Sequence, residues 1–266
     1  MNQVYTEVSI DPRGVATLTL NRPQVHNAFD DAMIAELIAV LKDLAKNEKV
    51  RVLVLAANGK NFSAGADLNW MRSMAQKNYQ QNLNDAAELA NLMHRLDKFP
   101  KPTIALVKGA AFGGALGLVA CCDIAIASDT ASFCLSEVRI GLIPAVISPY
   151  VMRAIGERES RRYFLTAERF TAAKAQQLGL LHEMVSEGEL SDSAESLITT
   201  LLQNSPAALT AAKSLIHNIY NRKISNNVIA HTEQAIAEIR VSPEGQEGLS
   251  AFLEKRKPAW LGKEDA

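Results

Sequence analysis

Apolar runs typical of strands covered on both faces alternate with amphipathic helical stretches, and this alternation narrows the possible folds more than any other feature of the chain. Val50 to Ala57 is apolar nearly throughout, and Asn58-Gly59-Lys60-Asn61 ends it in a loop. Before it, Asp30 is placed to cap a helix whose Met33, Leu37, Ile38, Leu41 and Leu44 recur at helical spacing. The pattern repeats. Ala86 to Leu96 reads as a helix, Phe99-Pro100-Lys101-Pro102 breaks it, and Thr103 to Val107 is another buried strand. A third round runs from Gly113 through a short apolar helix to the strand Ile124 to Ala127. Units of this kind imply an α/β fold with a largely parallel sheet. Ahead of them, Val4 to Ile10 and Val15 to Leu20 alternate about the turn Asp11-Pro12-Arg13-Gly14 and read as a hairpin.

Beyond Pro144 helical patterns dominate: Ser148 to Gly156, Glu157 to Thr166, Ala172 to Leu178, Leu190 to Gln203, Pro206 to Tyr220 and Val228 to Arg240. The last hundred or so residues are expected to be all-helical. No Pro/Ser/Gly-rich linker precedes them, so a core over residues 1–200 and a helical region over 201–266 are expected to pack together or on neighbouring subunits. The 28 Lys+Arg against 29 Asp+Glu leave a net charge of −1. That balance argues against nucleic acid or an anionic membrane as partner and points to a small molecule. Met1 to Asp11 carries early acids and no apolar core, so no signal peptide is expected, and no apolar run approaches the roughly 20 residues that span a bilayer. Cys121 and Cys122, adjacent in an apolar stretch, and Cys134 suit buried thiols in a reducing cytoplasm. Five dispersed histidines lack ligand spacing, so no metal site is expected.

Three segments are candidates for chemistry. Asn61-Phe62-Ser63-Ala64-Gly65-Ala66-Asp67-Leu68 follows a strand, and its small side chains let backbone N–H groups approach a ligand. Alone, it reads more readily as a plain strand-to-helix turn. Gly109 to Gly117 lies between a buried strand and an apolar helix, where a helix N-terminus presents free N–H groups. It lacks the Walker lysine and the dinucleotide-binding spacing. Close helix-to-sheet packing is the competing explanation. In the third, Phe133 to Pro144, Glu137 is an acid among apolar residues, where a raised pKa suits proton transfer near neutral pH. A salt bridge to Arg139 is the structural alternative. Together, two N–H groups at Ala66 and Gly114 with one acid after the next strand can stabilise an enolate and move a proton.

At these residues the sequence resembles the crotonase superfamily of enoyl-CoA hydratases and isomerases. The resemblance runs through Leu20-Asn21-Arg22-Pro23, Asn27-Ala28-Phe29, Ser63-Ala64-Gly65-Ala66-Asp67, Gly113-Gly114, Glu244-Gly245 and Ala251 to Pro258. It implies a crotonase-like spiral of ββα units with a C-terminal helical trimerisation region, a homo-trimer or dimer of trimers, and an acyl-CoA thioester substrate. CoA is then part of the substrate and no separate cofactor is expected. Carried over, Ala66 and Gly114 form an oxyanion hole and Glu137 is the catalytic acid. Ala64, the run Ala66-Asp67-Leu68-Asn69, Gly113 and Gly114 contact the CoA thioester, and Lys255 approaches the CoA 3′-phosphate.

One departure stands out. Two-glutamate hydratases carry a second Glu three residues beyond the oxyanion glycine, and here that position is Gly117. Single-glutamate members include double-bond isomerases, which shuttle one proton between two carbons. The surroundings of Cys121-Cys122, Leu135 to Arg139, Pro144 to Tyr150 and Leu165 to Phe170 nevertheless resemble bacterial methylglutaconyl-CoA and carboxygeranoyl-CoA hydratases. The empty position 117 is expected to leave room for their branched, carboxylate-bearing acyl group. Arg139, Arg153 or Arg158 is a candidate partner for that carboxylate. Trp70, Met71 and Met74 are candidates to cover the acyl chain or to pack as a helix face, and Cys134 to line the pocket. Some relatives bind RNA or act as assembly partners without turning over substrate; the neutral charge and Glu137 argue against a dedicated RNA-binding role.

Overall fold

The computed structural model describes residues 4–261. The expectation about the leader, drawn partly from residues 1–3, lies in part outside them. The chain begins with the hairpin β1 (Thr6–Ile10) and β2 (Val15–Leu20), followed by α1 (Asp31–Lys46) and β3 (Val52–Ala57). Asp30 caps α1, its carboxylate accepting from the Met33 N–H at 2.8 Å. Next come α2 (Leu68–Met74), α3 (Tyr79–Asp97), β4 (Thr103–Val107), β5 (Ala110–Phe112), α4 (Gly114–Cys121), β6 (Ile124–Ser128) and β7 (Ser132–Cys134). A 3₁₀ turn at Glu137–Ile140 leads to α5 (Ser148–Thr166), β8 (Phe170–Thr171), α6 (Ala172–Gln177), β9 (Glu183–Val185) and α7 (Leu190–Leu202). The helices α8 (Pro206–Ile219), α9 (Asn226–Val241) and α10 (Pro243–Leu253) complete the chain.

The larger sheet has the order β1-β2-β3-β4-β6-β9 and is parallel from β2 onward. Its strands are apolar on alternate residues for two different reasons. Val52 and Val54 of β3, with Ile104 and Ile126, pack against Leu190, Ala194 and Ile198 of α7. Leu53 and Leu55 face the other way, into the main core with Met33 and Leu37 of α1 and Leu92 and Leu96 of α3. A strand sandwiched in this way must be apolar throughout, as the sequence predicts.

A second sheet of order β5-β7-β8 adds a short strand after β4 and after β6, so that each of these leads to its helix as a ββα unit. The chain leaves β4 and enters β5 across Gly109, whose φ is +60°. A Cβ there would lie 2.2 Å from the Lys60 carbonyl oxygen, so only glycine lets the two segments approach. β8 and β9 also correct the expectation of an all-helical final hundred residues. They are only two and three residues long, too short to show an alternating pattern. α5 contains the two helices expected on either side of Gly156, where φ +77° and ψ 162° break the helix. α10 lies within the C-terminal region expected to be helical, beyond the individual helices the sequence delimits as far as Arg240.

The expected boundary at 200/201 falls inside α7, which packs on the sheet and ends at Leu202. The helices after it contact the core through a few polar anchors. Lys213 Nζ donates to Asp123 Oδ2 at 2.6 Å, Arg51 donates to the Leu202 and Asn204 carbonyls, and Trp260 Nε1 donates to the Gln203 carbonyl at 3.0 Å. α8 and α9 contain no fully buried side chain, and Ile216, Ile229 and Phe252 are exposed. No helix of the described residues is long and apolar enough to cross a membrane.

Asn27, fully buried with φ +53°, ties the first strand–helix connection to the loop after β3. Its Oδ1 accepts from the Arg22 N–H at 2.7 Å, and its Nδ2 donates to the Asn58 and Asn61 carbonyls at 2.9 and 3.0 Å. Replacing it with alanine strands three partly buried polar groups and puts a residue less tolerant of the left-handed region than asparagine at φ +53°. Asn27→Ala is therefore expected to lose about 2–4 kcal/mol, read from urea midpoints at fixed protein concentration.

Candidate active site

The loop after β3 is fastened on both sides by backbone hydrogen bonds. Phe62 and Ser63 donate to the Lys108 and Ala110 carbonyls, at 2.8 and 3.0 Å, and Phe112 donates to Ser63 at 3.0 Å. On the other side Ala64 donates to His26 at 2.9 Å, and Phe29 is bridged by its N–H to Gly65 O and its carbonyl to Asp67 N, both at 2.7 Å. Gly65 N–H turns back to Ser63 Oγ at 3.2 Å. The Ala66 N–H has no such acceptor among the described residues. The Gly114 N–H is free for another reason: Gly114 is the first residue of α4, and an N-terminal N–H has no intrahelical partner. Gly113 donates to the Cys134 carbonyl at 2.9 Å.

These two loops and Glu137 converge. A methyl group on Gly113 would lie 3.3 Å from Glu137 Oε1 and 4.0 Å from Gly65 Cα. Gly113 also has φ +54° and ψ −126°, a conformation that excludes a β-carbon. A cavity of about 850 Å³ opens at this point, lined by Ala64, Ala66, Leu68, Gly113, Gly114 and Glu137 among others. Its walls also include Trp70, Met71 and Met74, so these residues face the cavity while Trp70 is buried as well. The Glu137 Oε2 is buried without a hydrogen-bond partner. Burial raises the pKa of this carboxyl above the ordinary 4.5.

Other expected site residues are placed differently. Asp67 lies outside the cavity wall; its Oδ1 caps α2 by accepting from the Asn69 and Trp70 N–H groups, and its Oδ2 pairs with Arg22. Asn69 Oδ1 accepts from Arg72 Nη1 at 2.7 Å. Lys255 sits exposed beyond α10 with φ +52°, and within one chain it is not part of the cavity wall. Cys134 is buried and turned away, its Sγ donating to the Ala167 carbonyl at 3.3 Å, and burial raises its pKa. Cys121 and Cys122 are core thiols, Cys122 pushed up to about 12 by burial. Among the described residues no group of three or more His, Cys, Asp or Glu could hold a metal.

The expected room at Gly117 is not there. A Cβ at this position would lie 2.3 Å from Ile147 Cγ2 and 2.9 Å from Met93 Sδ. Ile147 fills the space and itself lines the cavity. Neighbouring side chains had closed over the missing one, which a linear sequence does not display.

A family model for enoyl-CoA hydratase/isomerase matches residues 11–263. The chain belongs to the enoyl-CoA hydratase/isomerase family. Its fold is the crotonase spiral, superimposing on the crystal structure of an enoyl-CoA hydratase from Shewanella pealeana with a TM-score of 0.95. Those two chains are 56% identical, and each is covered over 97% of its length. The chain is also 34% identical to the 2,3-dehydroadipyl-CoA hydratase of Escherichia coli, over 94% of this chain and 96% of that protein. It is 31% identical to the trans-2-decenoyl-[acyl-carrier-protein] isomerase of Streptococcus mutans, over 94% and 95% respectively. The Escherichia coli hydratase and the Streptococcus mutans isomerase thus stand at similar identity to it, 34% and 31%.

Two outcomes test this geometry. Gly117→Glu forces a side chain into Ile147 and Met93, so it is expected to lower the thermal midpoint by an equivalent of about 1–3 kcal/mol without raising hydration. Combining it with Ile147→Gly is expected to recover part of the midpoint. Glu137→Gln probes the buried carboxyl. Because the native pKa is raised, the folded state binds the proton more tightly than the unfolded one, and stability is lost as pH rises from 4.5 through the native value. The variant is expected to melt above the parent at pH 7 and level with it below pH 4.5 in a thermal series.

Proposed function

We propose that this chain hydrates a branched 2-enoyl-CoA, with 3-methylglutaconyl-CoA as substrate and 3-hydroxy-3-methylglutaryl-CoA as product, the hydration step of leucine breakdown. The observation that carries the reading is a buried, unpartnered carboxyl in the same cavity as two backbone N–H groups that lack acceptors. In this mechanism the Ala66 and Gly114 N–H groups donate to the thioester oxygen. Glu137 takes a proton from water as the water oxygen bonds to C3, and negative charge collects on the thioester oxygen as the enolate. The same carboxyl then returns the proton to C2, which collapses the enolate. One acid with a raised pKa serves both transfers, so no second acid at 117 is required.

The substrate's distal carboxylate needs a cation. Of the three candidate arginines, Arg139 lines the cavity, anchored by Nη2 to the Ala167 carbonyl. Arg153 is committed to Asp97 and Arg158 is exposed away from the cavity. The Escherichia coli relative is named for a substrate whose acyl group likewise ends in a carboxylate, which supports this class. The reaction uses no cofactor beyond the CoA of the substrate. Copies are proposed to associate as a trimer or dimer of trimers through α8, α9 and α10, and the three free, buried cysteines fit a cytoplasmic enzyme.

A second reading, double-bond isomerisation, is favoured by Gly117 and by the isomerase among the relatives. A steady-state screen of 3-methylglutaconyl-CoA, crotonyl-CoA and a 3-enoyl-CoA separates them. Hydration of the first, at a kcat/KM at least about tenfold above crotonyl-CoA, is expected. Bond migration of the 3-enoyl ester without hydration overturns the proposal in favour of the isomerase. Glu137→Gln is expected to lower kcat by about 10²–10⁴-fold while CoA binding persists; retained hydration sinks the role of Glu137.

A further inference from the structure

Arg22, in the segment Leu20 to Pro23, takes no part in the chemistry above and does not line the cavity. Its guanidinium is nevertheless largely buried, 13% exposed, and it grips both sides of the contact that orients Ala66. That contact is the parallel bridge between Phe29 and Ala66, in which Phe29 holds Gly65 O and Asp67 N. On the Phe29 side, Arg22 Nη1 donates to the Ala28 carbonyl and pairs with Asp30 Oδ2, both at 2.8 Å. On the Ala66 side, its Nη2 donates to Asp67 Oδ2 at 3.3 Å. Residues 28, 30 and 67 flank the bridge, so one planar group staples the two segments together.

The staple has something to restrain. Gly65 precedes Ala66 with φ +94°, a residue whose backbone rotates with little steric resistance. The direction of the Ala66 N–H therefore depends on what holds its neighbours. Arg22 is itself held by its own backbone, whose N–H donates to Asn27 Oδ1 at 2.7 Å, and by the Tyr5 ring 4.9 Å from its guanidinium carbon.

We propose that Arg22 is a positioning residue for the oxyanion hole, fixing the Ala66 N–H toward the thioester oxygen by clamping Asp67 to Ala28 and Asp30. This rests on the reading of Ala66 under Proposed function. A lysine keeps the charge but is a point donor on a single stem, so it cannot span three acceptors on two segments.

The test uses the full-length Arg22→Lys protein, with Leu41→Ala as a destabilised control, since Leu41 is a buried α1 residue remote from the staple. Three quantities are read: the thermal midpoint, kcat and KM for the best enoyl-CoA of the screen, and the near-ultraviolet absorbance of bound acetoacetyl-CoA enolate. The enolate oxygen of that probe needs the same two N–H groups as the reaction. Arg22→Lys is expected to lower kcat about 10- to 100-fold with KM within about threefold, and to weaken the enolate band per bound ligand. Leu41→Ala is expected to melt lower yet keep kcat within about twofold and the full band. If Arg22→Lys does not fold, Asp67→Asn, which keeps the cap acceptor and loses the charge, is expected to lower kcat and the band in the same direction. Parental kcat and band in the folded variant, or losses in Leu41→Ala that match it, overturn the proposal. A parental protein that binds acetoacetyl-CoA without an enolate band instead overturns the underlying oxyanion reading.

Discussion

Most backbone N–H groups in the segment Asn61 to Asp67 have an acceptor, those of Phe62, Ser63, Ala64, Gly65 and Asp67. Phe62 and Ser63 donate across to the β4–β5 connection, Ala64 and Asp67 donate back to the segment before α1, and Gly65 donates to the hydroxyl of Ser63. This pairing fixes the loop on both sides, while the N–H of the exposed Ala66, which faces the cavity, stays free to bind a ligand. Gly114 reaches the same condition by a different rule, as the first residue of a helix. Two independent features of backbone structure thus leave donors at one cavity, and β4 of the larger sheet with β5 of the smaller one carries the chain from the first loop's anchor points to Gly114.

The sequence displays this arrangement unevenly. β3, β4 and β6 are legible because both of their faces are covered, by α7 on one side and by α1 and α3 on the other, so they are apolar apart from Thr103 and Ser128 at strand ends. β5, β7 and β9 have three residues each and show no period; they emerge only from pairing with distant segments. α3 begins at Tyr79, well before the expected Ala86, since its first turns are polar. The capping box of Asn78 with Gln81 was the available signal for that start. At the candidate site, Ala66, Gly114 and Glu137 could be picked out from motif and order along the chain. The packing of Ile147 and Met93 onto Gly117 could not, because it is a contact between elements that no local pattern encodes.

The absence of an acid at 117 and the burial of Glu137 belong together. A second carboxylate in the cavity would add like charge beside a group already penalised by desolvation. With Ile147 in that space the wall is apolar, and Glu137 stands without a neighbouring hydrogen-bond partner for Oε2. The thiol closest along the chain, Cys134, is committed to the Ala167 carbonyl, as is the Arg139 side chain, so both sides of the 3₁₀ turn bearing Glu137 are moored to the end of α5.

The donors at Ala66 and Gly114 are main-chain atoms and carry no side-chain identity. At Ala66 any residue but proline supplies the same N–H, so point mutation seldom deletes the group itself and acts only by moving it. Mutational tolerance is then distributed unequally over the molecule. The cavity wall, from Met71 and Met74 to Leu142 and Ile143, is free to drift toward new acyl groups, while the residues that merely hold the backbone in place are the ones a lineage can least exchange.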